Sequence, residues 1–346
     1  MRDAGNLLQL LEIAIDQNAS DLHLSPGVPP FLRIYGSLTP ISGFAPLRPV
    51  LIEELARQIT DQEHWHVFEE QGEVDFSYGA PGLGRFRCNL FRQRGSPALA
   101  MRVINRTIRS IAELGLPNIL QDLCAKRDGL VLVTGPTGSG KSTTLASMID
   151  LINQTRRGVI ITLEDPVEYL HSHKNCIVNQ REVGTDTSSF ASGLRAALRA
   201  DPDVILVGEM RDLETIATAL TAAETGHLVL STLHTRGAAK TIDRIIDVFP
   251  PENQQQIRIQ LASVLEAVVS QLLVPRKDGK GMVPAVEVML GTPAIRNMIR
   301  EAKTHQIPSM IETGTRFGMQ AMDAALDSLA KRGLIDPIHA LLSGNS

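Results

Sequence analysis

The spacing of apolar side chains changes about one third of the way along the chain, and the first part predicts a small sheet with helices. Leu7, Leu8, Leu11 and Ile15 recur at helical intervals and predict an opening amphipathic helix, and the pattern from 50 to 70 is also helical. Short segments that alternate apolar and polar residues predict strands. These segments are 20–25, 31–41, 74–78, 85–94 and 98–104. We therefore expect an α+β domain built on an antiparallel sheet.

From about residue 118 the apolar residues form short continuous runs separated by helical stretches. The runs are 130–134, 159–163, 204–207 and 228–232, and the helical stretches are 141–153, 188–200 and 213–225. Repeated strand, helix and strand units predict a parallel sheet covered by helices on both faces. The last part, 293–342, has helical periods and predicts a helical cap on that sheet. Its breaks fall at Pro308, Gly314, Gly318 and Gly333.

Glycine and proline mark the boundary between the two patterns. Gly115 and Pro117 interrupt both periods, so residues 113–118 are the predicted linker. We therefore divide the chain into an N-terminal domain (1–112), this linker and a second domain (119–346), with a helical part from about residue 291. The N-terminal domain has no lysine at all, which agrees with two separate surfaces.

The composition is that of an ordinary folded protein. The 346 residues are enough for about two domains, and the 43% of apolar residues exclude a mainly disordered chain. A net charge of −4 gives no overall field that would attract nucleic acid or an anionic membrane. Cys88, Cys124 and Cys176 are widely spaced, so we expect no disulfide and a reducing cytoplasm. The sequence predicts neither a signal peptide nor a membrane span.

Residues 76–112 contain no acidic residue and form a local basic region. Its arginines are Arg85, Arg87, Arg92, Arg94, Arg102, Arg106 and Arg109. Alternation along the strand puts Arg85 and Arg87 on one face and leaves the other face for the core. Two interpretations are open here. The arginines form a solvated edge that discourages strand aggregation, or they bind polyphosphate or a partner's acidic groups.

The strongest chemical signal is a glycine-rich loop between an apolar strand and a helix. Residues 135–142 read GPTGSGKS and match the P-loop pattern G-x-x-x-x-G-K-[ST]. The glycines let backbone N–H groups point at a β-phosphate, Lys141 reaches the β and γ oxygens, and the Ser142 hydroxyl binds Mg²⁺. The predicted nucleotide-binding residues are Pro136, Thr137, Gly138, Ser139, Gly140, Lys141, Ser142 and Thr143.

Hydrolysis of a nucleoside triphosphate also needs a carboxylate near the attacking water. Glu209 follows one predicted strand. The residue before it is Gly208, where many P-loop proteins have a magnesium-binding aspartate, so Glu209 must carry more of that work. Glu164 and Asp165 follow another strand, and the carboxyl ends of parallel strands meet at one edge of a sheet. For Asp165 a turn before Pro166 is an equally good interpretation.

Two histidines flank the predicted strand 228–232. A neutral imidazole N–H can respond to a γ-phosphate, and His234 follows the strand at the edge that also carries Glu164 and Glu209. His227 precedes the strand, and a structural role explains it equally well. We therefore treat His234 as the candidate site residue.

These residues resemble those of the secretion and pilus ATPases of type II secretion, type IV pilus and type IV secretion systems. The resemblance covers almost the whole chain. It consists of SDLHL (20–24), GVPP (27–30), GRFR (84–87), the P-loop, ITLEDP (161–166), GEMRD (208–212) and the histidine box (226–235). Residues 294–301, AIRNMIRE, here called the retraction segment, are similar to the AIRNLIRE segment of the retraction motors in this family. The change from leucine to Met298 conserves volume.

The resemblance implies a fold and a set of catalytic roles. It implies an α/β P-loop ATPase with a RecA-like C-terminal domain and a smaller, PAS-like N-terminal domain, assembled into a ring of six. ATP and Mg²⁺ would bind between the two domains. Glu209 would activate water, with Glu164 assisting at the metal, and both would act on Mg²⁺ indirectly. His234 would couple the nucleotide state to movement, and Lys141 completes the expected catalytic set.

The resemblance also implies partners and a location. Arg87 and Arg102 match positions that reach the triphosphate from the N-terminal domain in relatives, so a clamp becomes the favoured interpretation of the basic region. The expected location is the cytoplasm, against the inner membrane at the base of a pilus. The expected partners are other copies of the chain, an inner-membrane platform protein and a paralogous ATPase, and no nucleic acid.

Several other functions stay open. Pilus-extension and secretion ATPases usually carry a four-cysteine zinc module, and the sequence contains no such cluster. A RecA-like helicase would need basic, aromatic-bearing loops, which are scarce in the second domain. A nucleotide-binding accessory subunit of a paralogous motor is compatible with all the motifs. Arg236 stands after the histidine box, where small polar residues are more usual, and has no assigned effect.

The retraction segment has the pattern of a short amphipathic helix. Ile295 and Ile299 lie on one face, and Arg296 and Arg300 lie on another. It is either a packing helix with solvated arginines or a surface that couples hydrolysis to retraction. The coupling interpretation predicts that changing Arg296, Asn297 and Ile299 together to alanine spares ATP hydrolysis and abolishes retraction.

Overall fold

A computed structural model of the chain describes residues 6–34, 36–104 and 107–338. Arg106 of the basic region and residues 339–342 of the predicted helical cap lie outside the described residues. The chain divides into two compact units, Met1–Arg106 and Thr107–Ser346. The division falls before the predicted linker 113–118, because Ile111 and Leu116 are buried in the core of the second unit.

The first unit is built on a six-stranded sheet whose neighbouring strands are all antiparallel, in the order β3-β2-β1-β6-β5-β4. Its strands are β1 (Asp21–Leu24), β2 (Phe31–Ile34), β3 (Ser37–Pro40), β4 (Glu73–Ala80), β5 (Gly84–Gln93) and β6 (Ser96–Val103), and its helices are α1 (Leu7–Asp16), α2 (Pro49–Arg57) and α3 (Gln62–Gln71). The predicted antiparallel α+β organisation is confirmed.

The helical stretch predicted from 50 to 70 is two helices, α2 and α3. Asp61 lies between them in an extended backbone conformation, and its carboxylate accepts a hydrogen bond from the N–H of His64 at 2.9 Å. This side-chain acceptor satisfies an N–H that the first turn of α3 leaves free, so a new helix begins there.

The second unit contains a seven-stranded sheet in the order β13-β12-β7-β11-β10-β8-β9. Its strands are β7 (Gly129–Thr134), β8 (Val159–Glu164), β9 (Ile177–Glu182), β10 (Val204–Val207), β11 (Leu228–Leu233), β12 (Leu265–Pro275) and β13 (Met282–Leu290). Its α-helices among the described residues are α4 (Ile119–Cys124), α5 (Lys141–Thr155), α6 (Phe190–Ala197), α7 (Leu213–Glu224), α8 (Ala238–Asp247), α9 (Pro251–Val264), α10 (Pro293–Arg300), α11 (Ile307–Thr313) and α12 (Met322–Lys331).

The parallel strands are buried on both faces, as predicted. Alternate residues of β7 enter different cores: Leu130 and Leu132 pack on one side, and Val131 and Val133 pack on the other. Parallel pairing aligns β7, β11, β10 and β8, so their carboxyl ends lie along the same edge. Every loop that follows one of these strands therefore begins at that edge.

The edge strand β9 and the pair β12 and β13 are the parts of this sheet that the sequence pattern does not identify. The strand β12 begins at Leu265, directly after α9 ends at Val264, with no turn residue between them. It runs parallel to β7 on one side and antiparallel to β13 on the other. This placement brings the middle of β12 beside the carboxyl end of β7.

Candidate functional site

The glycine-rich loop follows β7 at the carboxyl edge of the sheet and leads directly into α5. All six residues of β7 are buried, so the start of the loop is fixed by the core. Gly135, Gly138 and Gly140 have φ values of 142°, 78° and 86°, which side-chain-bearing residues rarely adopt. A Cβ on Gly135 would also lie 2.3 Å from the backbone oxygen of Gln271. The loop conformation therefore requires the glycines of the motif.

Lys141 opens α5 with its ammonium folded back over the loop. Its Nζ donates to the backbone oxygens of Gly135 at 2.9 Å and Pro136 at 3.0 Å. Desolvation lowers the pKa of Lys141, and the nearby carboxylates of Glu209 and Glu168 oppose that shift. The hydrogen bonds of this buried cation go to neutral carbonyls, and the pKa is lowered despite the nearby carboxylates, so the site fits an anion such as a phosphate group.

The backbone N–H groups of the loop, the Lys141 ammonium and the start of α5 together form an anion-binding cradle. Among the described residues near this loop, Thr134 Oγ1 and Ser139 Oγ are buried without a hydrogen-bond partner. Neither residue lines the cleft described below, so these two hydroxyls are not assigned to a ligand.

Glu209 lies two residues beyond β10, with its side chain only 17% exposed. Its Oε1 pairs with Arg211 Nε at 2.5 Å and lies 3.4 Å from His234 Nε2. The residue before it is Gly208, where many P-loop proteins have an aspartate, and the structure leaves little space for a side chain at this position. A Cβ at Gly208 would lie 3.0 Å from the backbone oxygen of Leu163, because the neighbouring strand ends close by.

His234 connects this glutamate to the P-loop. Its Nδ1 lies 3.4 Å from Thr137 Oγ1, on the other side of the ring from Glu209. His227 has a different environment, because it precedes β11 at the opposite edge of the sheet. Its Nδ1 lies 2.9 Å from the backbone oxygen of Ala222. The structure thus brings His234 to the candidate site and leaves His227 in a local structural contact.

Glu164 ends β8, and its Oε1 is held by two neutral donors. Thr162 Oγ1 donates to it at 2.6 Å and Gln180 Nε2 at 3.1 Å. Burial raises the pKa of Glu164, although these hydrogen bonds favour the ionised form. Asp165 follows with an exposed side chain and lines the cleft described next.

A cleft of about 600 Å³ joins these groups. The predicted site residues that line it are Thr137, Gly138, Gly140, Lys141, Ser142, Thr143, Glu164, Glu209 and His234. Pro136 and Ser139 belong to the same loop and do not line the cleft. The hydroxyl of Ser142 is an oxygen ligand of the type that suits Mg²⁺, and the carboxylates of Glu164 and Glu209 line the same cleft, where they would act on such an ion indirectly.

Three residues at this site carry no motif in the sequence. Tyr169 OH lies 2.8 Å from Thr143 Oγ1, and Gln180 also donates to the backbone oxygen of Tyr169 at 2.8 Å. Gln271 reaches the P-loop from β12. Of these three residues, only Gln271 could have been noticed in the sequence, because it is a polar residue within the mostly apolar segment 265–274.

Arg87 and Arg102 lie in the first unit, and their role at a triphosphate stays a prediction. They are partners across β5 and β6, and both are exposed. Arg102 Nε donates to Asp21 Oδ1 at 3.0 Å, and Asp21 is 8% exposed. A nearly buried carboxylate therefore holds the guanidinium group of Arg102 through its Nε, within the same unit, while the side chain stays 66% exposed.

The retraction segment forms α10 and its end. Of the two arginines that the packing interpretation leaves solvated, Arg300 is exposed, but Arg296 is bound to the protein. Arg296 donates to the backbone oxygens of Gly291, Ala262 and Ser263, and its Nη2 pairs with Glu266 Oε1 at 2.6 Å. Its side chain is 24% exposed. Arg296 therefore ties α10 to the end of α9 and to β12.

The exposed residues of the segment are Ala294, Asn297, Arg300 and Glu301. Ile299 is fully buried in the core of the sheet domain. A triple alanine variant that includes Arg296 and Ile299 would therefore damage packing together with any coupling surface.

Two general findings complete the description. Within residues 6–34, 36–104 and 107–338, no helix is both long enough and apolar enough to cross a membrane. In the same described residues, histidine, cysteine and acidic side chains form no cluster of three or more that could hold a metal ion.

The fold and the site define a P-loop nucleotide-binding protein with a mainly parallel sheet. A family model described as type II/IV secretion system protein matches residues 84–320. The chain therefore belongs to the type II/IV secretion system protein family, and the predicted family and two-domain α/β fold are confirmed.

Known relatives and a solved structure agree with this membership. The chain is 50% identical over 330 residues to the type IV pilus retraction ATPase PilT of Pseudomonas aeruginosa, with 95% of each chain covered. It is 47% identical over 337 residues to a twitching motility protein of Neisseria gonorrhoeae, with 96% of this chain and 89% of the relative covered. A crystal structure of the pilus retraction motor PilT with bound ADP has a TM-score of 0.90 and 51% identity, and the match covers 97% of this chain and 96% of that chain.

Proposed function

We propose that this protein is a motor ATPase that hydrolyses ATP to ADP and phosphate and uses the energy to retract a type IV pilus in twitching motility. The main support for ATP hydrolysis is that Lys141, Glu209 and His234 line one cleft. The pilus part is supported by similarity to a pilus retraction ATPase and to a twitching motility protein. The retraction segment 294–301 supports it further.

Each residue of the cleft has a role in this reaction. The P-loop N–H groups and Lys141 bind the β and γ phosphates. The Ser142 hydroxyl would hold Mg²⁺, which would supply further positive charge to the phosphates. We assign Glu209 Oε2 to the attacking water, since Arg211 and His234 both contact Oε1. Glu209 accepts the water proton as the new oxygen–phosphorus bond forms and ADP leaves.

A second cleft, of about 620 Å³, provides the place for the base and ribose. It shares Gly140, Thr143 and Leu273 with the catalytic cleft and extends past Gln271 toward Pro284. The α-phosphate lies near the first turn of the P-loop helix, so the nucleoside continues from there on the side away from Glu209.

Arg87 and Arg102 supply positive charge to the γ-phosphoryl group when the two domains close on ATP. Arginines that reach a phosphoryl group only in the closed state stabilise the transition state more than bound ATP. Arg87→Ala and Arg102→Ala should therefore lower the rate at saturating ATP by about 10²-fold and leave ATP affinity within a few-fold of the parent. The matched control is Arg94→Ala, because Arg94 is an exposed arginine directly after β5, the strand that carries Arg87. Salt-sensitive DNA binding lost in both variants would favour a nucleic-acid motor instead.

The proposal includes an assembly and a location. The protein works as a homohexamer in the cytoplasm, bound to an inner-membrane platform protein at the pilus base, beside a paralogous ATPase. The alternatives are a pilus-extension or secretion ATPase and a nucleotide-binding accessory subunit of the paralogous motor.

Deletion of the gene tests the pilus part of the proposal. Loss of retraction leaves excess fibres and no surface motility, whereas loss of extension leaves no fibres. Complementation with the parent chain should restore motility, and complementation with Lys141→Ala should not. A deletion strain with normal fibre number and normal motility would contradict a retraction role. An accessory role would instead be indicated if Lys141→Ala restored motility as well as the parent chain does.

A further inference from the structure

The middle of β12 lies against the P-loop and carries two buried polar residues, Ser270 and Gln271. Both are 2% exposed, in a strand that is otherwise mostly apolar. Ser270 is paired with Thr134 at the end of β7, so Gln271 lies level with Gly135, the first residue of the loop. Successive residues of a strand point to opposite faces, so these two side chains act on different neighbours.

Gln271 uses both ends of its amide on the phosphate-binding loop. Its Nε2 donates to the backbone oxygen of Ser139 at 2.6 Å, and its Oε1 accepts from Thr144 Oγ1 at 2.7 Å. The first contact fixes the loop and the second fixes the first turn of α5. Gln271 therefore holds the two halves of the phosphate cradle at a set distance from each other.

The loop glycines are packed against this same residue. A Cβ on Gly135 would lie 2.3 Å from the Gln271 backbone oxygen, and a Cβ on Gly140 would lie 2.8 Å from its Nε2. Two glycines of the motif thus leave room for Gln271 as well as for a phosphate. The side-chain amide of Gln271 therefore helps to determine the conformation of the loop.

Ser270 acts on the other face, where α8 begins after the histidine box. Its Oγ accepts a hydrogen bond from the N–H of Gly237 at 2.9 Å. Glu287, its partner on β13, accepts from the N–H of Ala238 at 2.8 Å. Gly237 is three residues after His234, so β12 and β13 anchor the far end of the loop that carries His234.

These contacts hold the middle of the P-loop from two directions. His234 contacts the Thr137 side chain, and Gln271 contacts the backbone of Ser139, two residues further along the loop. Ser270 anchors the segment after His234 to the strand that carries Gln271. A shift of the P-loop is therefore resisted from both sides.

We propose that Gln271 is a positioning residue that sets the P-loop for phosphate binding, and that Ser270 is a positioning residue for the loop that carries His234. This inference rests on the proposed ATP site and adds two residues from a distant strand to it. The two residues have separable effects. Loss of the Gln271 amide misplaces the loop for ADP and ATP alike, whereas loss of the Ser270 hydroxyl affects His234 and therefore turnover.

The test is nucleotide binding and steady-state hydrolysis with the full-length chain, using ADP as the binding probe and ATP as the substrate. Gln271→Glu keeps the acceptor for Thr144 and loses the donor to Ser139, and Gln271→Leu loses both. Each should raise the ADP dissociation constant and the KM for ATP by about 10-fold, since a buried partner is left unpaired. Ser270→Ala should lower kcat several-fold and leave the ADP dissociation constant unchanged.

Controls keep the outcomes distinct. Gln256→Glu, on the exposed side of α9, should match the parent in every measurement. If the Gln271 variants do not fold, Thr144→Val removes the hydrogen bond to Gln271 Oε1 from the other partner, with little change in volume. Folded Gln271 and Thr144 variants that bind ADP as tightly as the parent would overturn the inference. An equal loss of ADP affinity in Ser270→Ala would also overturn the division of roles. A parent chain that hydrolyses no ATP would instead overturn the proposed function.

Discussion

The P-loop cleft and the retraction segment are both marked by motifs, yet their marked side chains face different ways. In the cleft, Lys141, Glu209 and His234 line an open cavity of about 600 Å³. In the retraction segment, Arg296 and Ile299 turn inward and hold α10 in place. A motif therefore locates a functional region, but the fold decides which of its residues act on a ligand or partner and which support the structure.

The comparison predicts its largest effect at Lys141, where a charged side chain faces the phosphate site. Lys141→Ala should reduce ATP turnover by about 10²- to 10³-fold, because the cation on the β and γ oxygens is lost. Nucleotide binding should weaken as well. The measurement is phosphate release together with ADP binding, and Lys331→Ala on the exposed face of α12 is the control. Near-normal turnover in a folded Lys141→Ala protein would contradict the assignment of this cleft as the site of ATP hydrolysis.

Ile299→Ala should destabilise the protein without any direct effect on chemistry. The side chain is fully buried among apolar residues, so its truncation should cost about 2–5 kcal/mol of unfolding free energy. Chemical denaturation measures this cost. Activity per folded molecule should stay close to the parent value. A stable Ile299→Ala protein would show that α10 packs less tightly than the structure indicates.

Arg296→Ala should cost less, about 1–3 kcal/mol, because it leaves several backbone oxygens and Glu266 with one hydrogen-bonding partner fewer. Glu266 keeps its ion pair with Lys126 at 2.8 Å, which limits the loss. Arg300→Ala, on the exposed face of the same helix, is the matched control for stability. Equal stability of the Arg296 and Arg300 variants would contradict the inward role of Arg296.

The smallest effect on ATP hydrolysis is expected for the outward residues of the retraction segment. Asn297→Ala combined with Arg300→Ala changes only exposed side chains, so melting temperature and ATPase rate should stay near the parent values. If this face transmits motion to the pilus machinery, cells with this variant should keep fibres that they cannot withdraw. Normal motility would show that the outward face has no coupling role.

The two regions also show what the sequence could predict. The P-loop, Glu164, Glu209 and His234 were found because parallel strands bring residues that follow them to one edge, which is a rule of local pattern and topology. Gln271 was missed because its place depends on the pairing of β12 with β7, about 130 residues away in the chain. The inward direction of Arg296 depends on carbonyl groups at the end of α9, which no spacing within its own helix reveals.

The same distinction between local pattern and distant contacts applies to the fold. Alternation predicted the antiparallel sheet of the first unit, and continuous apolar runs predicted the parallel core of the second. The break between α2 and α3 was missed because one capping side chain, Asp61, outweighs the helical period around it. The hairpin of β12 and β13 was missed because no turn residue separates β12 from α9.

The most direct test of the central claim is phosphate release by Glu209→Gln under saturating ATP, with ATP binding measured on the same sample. The amide keeps the size of the side chain and cannot accept the water proton. Turnover should therefore fall by about 10²- to 10⁴-fold while ATP still binds. Glu252→Gln, on the exposed first turn of α9, should behave as the parent. Parental turnover in a folded Glu209→Gln protein would contradict the assignment of Glu209 and transfer the catalytic role to Glu164.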